Sequence, residues 1–280
     1  MIKTIVSDLD GTFLTDDKQI TSKNEALLEA CNELGLHFIP ASGRLFSSIS
    51  EHILKQECVH YAICGNGSTI YDVKKNEEIY FCGIDKSLVL KLYQECQYID
   101  ATFDIFSDNH IYSEANMMNR LNDFGLDEYT YEYVKKSRTS IHEDFKIFIL
   151  KLKKIDRLNM FYKSEKDSLI LLEIIKKHPE LSVSTSLKTN LEIMNVFASK
   201  GNALQWLCQN RDIDDKSTIA FGDANNDISL FQVARYKVAM SNACVELKII
   251  ADYVTCTNNE SGVAHFFEEN KQEYEIKKRT

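Results

Sequence analysis

Ile2-Lys3-Thr4-Ile5-Val6-Ser7-Asp8-Leu9-Asp10-Gly11-Thr12 decides how the rest of the chain is read. Ile2 to Leu9 is a short β-branched apolar run of the kind that forms a buried strand. It ends in a polar, glycine-bearing turn, Asp10-Gly11-Thr12. A helix should follow: Ser22 and Glu25 have capping-box spacing, Ala26, Leu27, Ala30 and Leu34 keep helical period, and Gly35 stands where a C-terminal stop belongs. A second apolar run, Leu36 to Pro40, leads to Ser42-Gly43-Arg44 and a helical stretch to about Gln56. A third, Tyr61 to Cys64, leads to Gly65-Asn66-Gly67. Strand, polar turn, helix, strand is the pattern of a parallel sheet covered by helices. Ligands of such sheets bind beyond the carboxyl ends of the strands, where these turns fall.

The pattern resumes at the other end of the chain. Ser199-Lys200-Gly201 opens a helix through Ala203, Leu204, Leu207 and Cys208. Strand Thr218 to Phe221, turn Gly222-Asp223, helix Ile228 to Val233 and short strands near Lys237 to Met240 and Tyr253 to Thr255 follow. The middle third reads differently, with helices near Ser87 to Gln97 and Asp167 to His178 and strand-like segments at Thr102 to Phe106, Phe145 to Lys151 and Arg157 to Tyr162. The expected fold is therefore α/β: a Rossmann-like parallel-sheet core from residues 1–84 and 189–280, with an α+β cap inserted at 85–188. The charged tail after Asn270 is expected to fray.

With 44% hydrophobic and 27% charged residues in 280, the chain has the composition of a folded soluble protein rather than a disordered or fibrous one. A net charge of −9 repels phosphate backbones and anionic lipid headgroups, so neither nucleic acid nor membrane is an expected partner. No run approaches the roughly 20 apolar residues of a membrane-spanning helix. Met1 to Asp10 does not read as a secretion signal. The eight cysteines have no C-x-x-C spacing, which suits reduced, mostly buried thiols in a cytoplasmic protein. The histidines are scattered, with no ligand pairing among them. Tyr129, Tyr131 and Tyr133 read as an alternating strand or as cap surface. Gly65-x-Gly67 has Ile70 where a dinucleotide fingerprint needs its third glycine.

Asp8 and Asp10 flank Leu9 at the end of the first strand and project to the same side. Two carboxylates that close repel unless a cation or a shared proton holds them. Asp223 also follows an apolar strand and a glycine, with Asn226 and Asp227 just behind it. Three oxygen donors from two neighbouring strand ends suit Mg²⁺. Ser42 and the Gly43 amide offer neutral donors for an anion, and Lys200 offers a cation at a helix N-terminus. Each feature alone is ordinary. Four at strand ends of one sheet point to phosphate chemistry.

The sequence resembles the haloacid dehalogenase superfamily, specifically the Cof-type hydrolases with a large inserted cap. The resemblance is carried by Asp8-Leu9-Asp10-Gly11-Thr12, Ala41-Ser42-Gly43-Arg44, Lys200-Gly201-Asn202-Ala203 and Gly222-Asp223-Ala224-Asn225-Asn226-Asp227, in that order. Softer matches are Gly65-Asn66-Gly67, Met240-Ser241-Asn242-Ala243, and Ala251-Asp252-Tyr253-Val254-Thr255 with Gly262-Val263-Ala264. Ser241 and the proline-free Asn195-Val196-Phe197 depart from the family's pattern away from the catalytic positions. The resemblance implies a phosphatase acting on a small phosphorylated metabolite, a sugar phosphate or phosphorylated cofactor, through an aspartyl-phosphate. Asp8 would be the nucleophile and Asp10 the acid and base. Mg²⁺ would be bound by Asp8, the Asp10 main-chain carbonyl and Asp223, with Asp227 behind them or reaching the ion through water. Leu9, Ser42, Gly43, Lys200 and Asn226 would hold the phosphoryl oxygens. The rivals are a phosphomutase or phosphotransferase using the same intermediate, and a non-catalytic metabolite-binding regulator. The intact Asp8, Asp10, Lys200 and Asp223 weigh against the second.

Overall fold

A computed structural model of the protein describes residues 2–185 and 187–271; all but the first residue of the charged tail after Asn270, expected to fray, lies outside that range. In chain order the first elements are β1 (Thr4–Ser7), α1 (Ser22–Leu34), β2 (His37–Pro40), α2 (Glu51–Leu54), β3 (Tyr61–Cys64), β4 (Thr69–Asp72) and β5 (Glu77–Phe81). Then come α3 (Lys86–Cys96), β6 (Asp104–Ser107), β7 (His110–Glu114), α4 (Ala115–Met118), α5 (Glu128–Ser137), β8 (Arg138–Ile141), α6 (Phe145–Lys151), β9 (Arg157–Phe161), α7 (Glu165–Ile175), β10 (Leu181–Ser184) and β11 (Asn190–Asn195). The chain ends through α8 (Lys200–Asn210), β12 (Thr218–Gly222), α9 (Ile228–Val233), β13 (Tyr236–Ala239), α10 (Val245–Ile250), β14 (Tyr253–Val254) and α11 (Gly262–Glu269). These elements gather into two compact units, one built from the chain up to Phe81 and from Ser199 onward, the other from Cys82–Ala198.

The first unit is organised by a parallel sheet in the order β14-β13-β12-β1-β2. β1 and β12 run side by side, Thr4 opposite Thr218 and Ser7 opposite Phe221. Every residue of both strands is buried, which is why they read as apolar runs rather than alternating ones. A parallel bridge from Ala41 to Ile63 carries the order on to β3, which opens the antiparallel sheet β3-β4-β5. Four turns therefore leave the same edge of this unit: residues 8–12 after β1, 41–44 after β2, 65–67 after β3 and 223–227 after β12. β4 and β5 are additions to the strands expected from the sequence.

Local signals fix the helices, with small corrections. The cap of α1 is Thr21, whose hydroxyl accepts from the Asn24 amide, one residue before the expected Ser22; Gly35 takes the expected left-handed stop, φ 65°. The helical stretch expected up to Gln56 is only a 3₁₀ turn and the four-residue α2. Two histidines expected to stand apart, His37 and His60, meet with their Nδ1 atoms 3.0 Å apart. All eight cysteines are free thiols.

The second unit is a six-stranded sheet, β10-β11-β9-β6-β7-β8, antiparallel except between β7 and β8. Alternate residues of its strands face opposite ways. Ile105, Leu158, Met160 and Ile193 pack with α3, α6 and α7 through Val89, Leu92, Ile149, Leu171 and Ile175. Phe161 faces the other way, onto Leu121, Phe124 and Val134. There the Asp104 carboxylate accepts from Ser113, Arg138 and Asn159, an almost fully buried ion pair with its partners supplied.

Phe145 to Lys151, expected as a strand, is the helix α6. Asp144 caps it by accepting from the amides of Lys146 and Ile147, and Phe145 and Ile149 bury a face four residues apart. The three tyrosines lie on helix α5: Tyr129 and Tyr133 are exposed and Tyr131 packs inward, so the strand alternative falls. Among the described residues no helix is long and apolar enough to cross a membrane.

Candidate active site

The edge described above brings distant residues together. Asp8 leaves β1 and Asp223 leaves β12; β1 and β12 are hydrogen-bonded neighbours, so their acids converge. Carboxylate oxygens of Asp8, Asp223 and Asp227 lie within 4.8 Å of one another. The Lys200 ammonium, on the first turn of α8, is fully buried between two of them, 2.5 Å from Asp8 Oδ1 and 2.6 Å from Asp227 Oδ1. Gly201, the next residue, lets α8 lie directly against α9: a Cβ there would fall 2.1 Å from the Ser229 carbonyl oxygen.

Asp227 has a further role that sequence left open. Its Oδ2 accepts from the amides of Asp223 and Ala224, at 3.0 and 3.1 Å, and so shapes the turn that aims Asp223. Thr12, which had been given no role, donates to Asp223 Oδ1 at 2.7 Å. Gly11, at φ 84°, lies so close to Asp223 that any Cβ would strike its carboxylate at 2.5 Å.

The electrostatics follow from burial and crowding. Three carboxylates face one ammonium, leaving two negative charges uncompensated when all are ionised. Burial pushes the Asp8 carboxyl well above its ordinary value; Lys200 pulls against this, and the Asp227 and Asp223 charges add to it. Burial lifts Asp223 in the same way, to about 6, against the hydrogen bond from Thr12. Burial also works to discharge Lys200, but Asp227 and Asp8 outweigh it and hold the ammonium above its ordinary value. A crowded, all-oxygen, net-negative donor set of this kind fits a hard divalent cation.

The other site candidates have contacts that the sequence alone does not give. The Asp10 carboxylate is held by Arg44 through Nε at 2.7 Å and a second nitrogen at 2.8 Å, with Lys18 at 3.0 Å. Burial alone would raise its pKa, but these two cations win and hold it below the ordinary carboxylate value. Lys200, expected to face an anion, bridges two acids. Ser42 is buried after β2, its hydroxyl accepting from the Arg44 amide at 3.1 Å. Leu9 is buried in the β1 turn, and Asn226 donates through Nδ2 to Asn66 Oδ1 at 3.0 Å. The residues missed from sequence are thus Thr12, Lys18, Arg44 and Asn66. All but Lys18 stood inside quoted motifs, and the signal for each was its neighbour rather than any pattern of its own.

Comparison with known proteins shows the family of the chain. The family model described as haloacid dehalogenase-like hydrolase matches residues 5–267. A Bacillus subtilis protein named phosphatase YwpJ is 28% identical, with 94% of this chain and 98% of that one aligned. Another from the same organism, named 5-amino-6-(5-phospho-D-ribitylamino)uracil phosphatase YwtE, is 27% identical, covering 96% and 98%. A haloacid dehalogenase-like hydrolase from Bacteroides thetaiotaomicron superposes with a TM-score of 0.81 at 25% identity, covering 96% of this chain and 99% of that one. The chain belongs to the haloacid dehalogenase-like hydrolases.

Proposed function

We propose that this hydrolase is a Mg²⁺-dependent phosphatase that moves the phosphoryl group of a small phosphorylated metabolite first to Asp8 and then to water. The observation that carries the reading is the buried meeting of Asp8, Asp223 and Asp227 around Lys200. The substrate in the name of the ribitylamino-uracil relative, a phosphate monoester on a small metabolite, is of the class we infer.

In the first step an Asp8 oxygen attacks phosphorus, the ester P–O bond breaks, and the leaving oxygen takes a proton from Asp10. In the second, water attacks the same phosphorus while Asp10 accepts its proton, and inorganic phosphate leaves with Asp8 restored. The Arg44 and Lys18 contacts favour the ionised Asp10 that the second step needs. The first step therefore requires those contacts to loosen when the leaving group is a poor one. Ser42, the Leu9 and Gly43 amides, Asn226 and Lys200 would hold the phosphoryl oxygens. Bound Mg²⁺, held by Asp8, the Asp10 carbonyl and Asp223, would neutralise charge on the transferring group.

The test is phosphate release from an aryl phosphate. Activity is expected with Mg²⁺, with little support from Zn²⁺ and none in excess chelator. Full activity without a divalent ion would overturn the metal assignment. A binding readout goes with it. The raised Asp223 carboxyl costs the fold nothing below about pH 4 and the most above about pH 6, because the folded protein holds the proton longer than the unfolded one, and Asp8 is shifted in the same direction. A cation must displace those protons at low pH. The gain in melting temperature on adding Mg²⁺ should therefore be larger at about pH 8 than at about pH 5, and an equal gain at both would count against the cluster as the binding site.

We assign the choice of leaving group to the unit Cys82–Ala198. Replacing it by a short flexible linker, with folding verified, should lower kcat/KM for the preferred metabolite far more than for an aryl phosphate. An unchanged ratio between the two would place specificity in the other unit.

A further inference from the structure

We propose that Asn66 is a positioning residue for phosphoryl binding: it holds the Asn226 carboxamide so that an N–H, and not the carbonyl oxygen, faces the bound group. The inference rests on the phosphatase reading above and concerns a residue to which neither the motifs nor the comparisons give a role.

The turn Gly65–Gly67 is tied to three separate stretches of the proposed site. Ser42 N donates to Ile63 O at 2.9 Å, Asn66 N to Ser42 O at 3.0 Å and Gly65 N to Arg44 O at 2.9 Å, so the Ser42–Arg44 turn is laced to the end of β3. A Cβ added at Gly43 would lie 2.9 Å from Asn66 Oδ1, so that side chain lies directly against the turn. On its other side Asn66 Oδ1 accepts from Asn226 Nδ2 at 3.0 Å. Gly67, at φ 95°, presses its backbone onto the start of α8, where a Cβ would meet the Ser199 carbonyl oxygen at 2.1 Å and the Lys200 nitrogen at 2.7 Å. One short turn thus braces the stretches that carry Ser42, Gly43, Lys200 and Asn226.

The chemistry of a carboxamide makes this bracing directional. Its two ends are nearly the same size, but one carries two donors and the other only an acceptor. Phosphoryl oxygens only accept, so an Asn226 turned the wrong way would set oxygen against oxygen. An acceptor at Asn66 Oδ1 selects the orientation with nitrogen on that side, and the second N–H on that nitrogen remains to be given. Asparagine suits the position twice over. Its backbone is left-handed, φ 56° and ψ 28°, which Asn tolerates better than most residues. Its side chain, on a residue 5% exposed, supplies a neutral acceptor where an aspartate would add negative charge beside an anion.

Asn66→Gly separates side chain from backbone, since glycine accepts the left-handed conformation without strain. Hydrolysis of an aryl phosphate and its inhibition by inorganic phosphate would be measured for wild type, Asn66→Gly, Asn226→Ala and the double variant. Each single change should weaken phosphate inhibition by about tenfold, the size of one hydrogen bond to a charged group. The double variant should be no worse than Asn226→Ala alone, because Asn66 acts through Asn226. Unchanged inhibition in Asn66→Gly, or losses that multiply to about a hundredfold in the double variant, would overturn the proposal. Asn66→Asp keeps an acceptor at the same point; in its background Asn226→Ala should still cost about tenfold, whereas in Asn66→Gly it should cost nothing further. The same cost in both backgrounds would also overturn it. A wild type that neither releases nor binds phosphate would fail the phosphatase reading before any variant is compared.

Discussion

Asp8→Asn is expected to reduce turnover by a factor on the order of 10⁴ or more while leaving the metal-free protein as stable as the wild type, or more so. The loss follows from chemistry: the neutral amide is not a nucleophile that can take the phosphoryl group. The stability follows from the surroundings. Asp8 is buried beside two other carboxylates, and burial is the largest influence pushing its pKa up, so its ionised form is held at a cost. Asparagine removes one charge from the crowd, and Lys200 keeps Asp227 at 2.6 Å as its partner. Thermal melting in chelator and phosphate release with Mg²⁺ are the two measurements. Near-normal turnover would remove Asp8 as nucleophile. A large fall in melting temperature would mean that its pairing with Lys200 is foremost a structural contact.

The parallel sheet was legible in sequence because its decisive features are local. β1 and β12 are apolar runs closed by glycine-bearing turns, and their acids follow within a residue of the strand ends. Segment length decided where the reading failed. Phe145 to Lys151 is seven residues of mixed apolar and basic character, too short for period to separate helix from strand, and the capping Asp144 was the signal passed over. β5 was hard to read because two glutamates precede its only three apolar residues, Ile79-Tyr80-Phe81, and none of its residues is fully buried. At the site, the identity of the acids was local and their partners were not. Lys200 finds Asp8 across 192 positions, Arg44 finds Asp10 across 34, and Asn226 finds Asn66 across 160. A lysine at a helix N-terminus reads as a cation for a bound anion until the fold shows it enclosed by carboxylates.

That enclosure sets the expected result for Lys200→Met. Methionine approximates the stem of lysine and fits an apolar slot, but it cannot answer the two carboxylates that Lys200 now meets. Breaking a buried ion pair by removing one partner typically costs about 3–5 kcal/mol, because the remaining charge stays buried and unpaired. Here two carboxylates lose their partner, with Asp223 close by. The metal-free variant should therefore melt well below wild type, and this is the opposite of the effect expected for Asp8→Asn. Combining the changes should recover part of the lost stability, since Asp8→Asn removes one of the two stranded charges. Turnover should fall on the order of 10²–10³, the size expected when one preorganised donor to a developing charge is lost. Melting temperatures in chelator for the two single variants and the double variant make the comparison. If the double variant were no more stable than Lys200→Met, the Asp8 carboxylate would not be the charge that Lys200 offsets, and the electrostatic account of this site would have to be rebuilt around Asp227 alone.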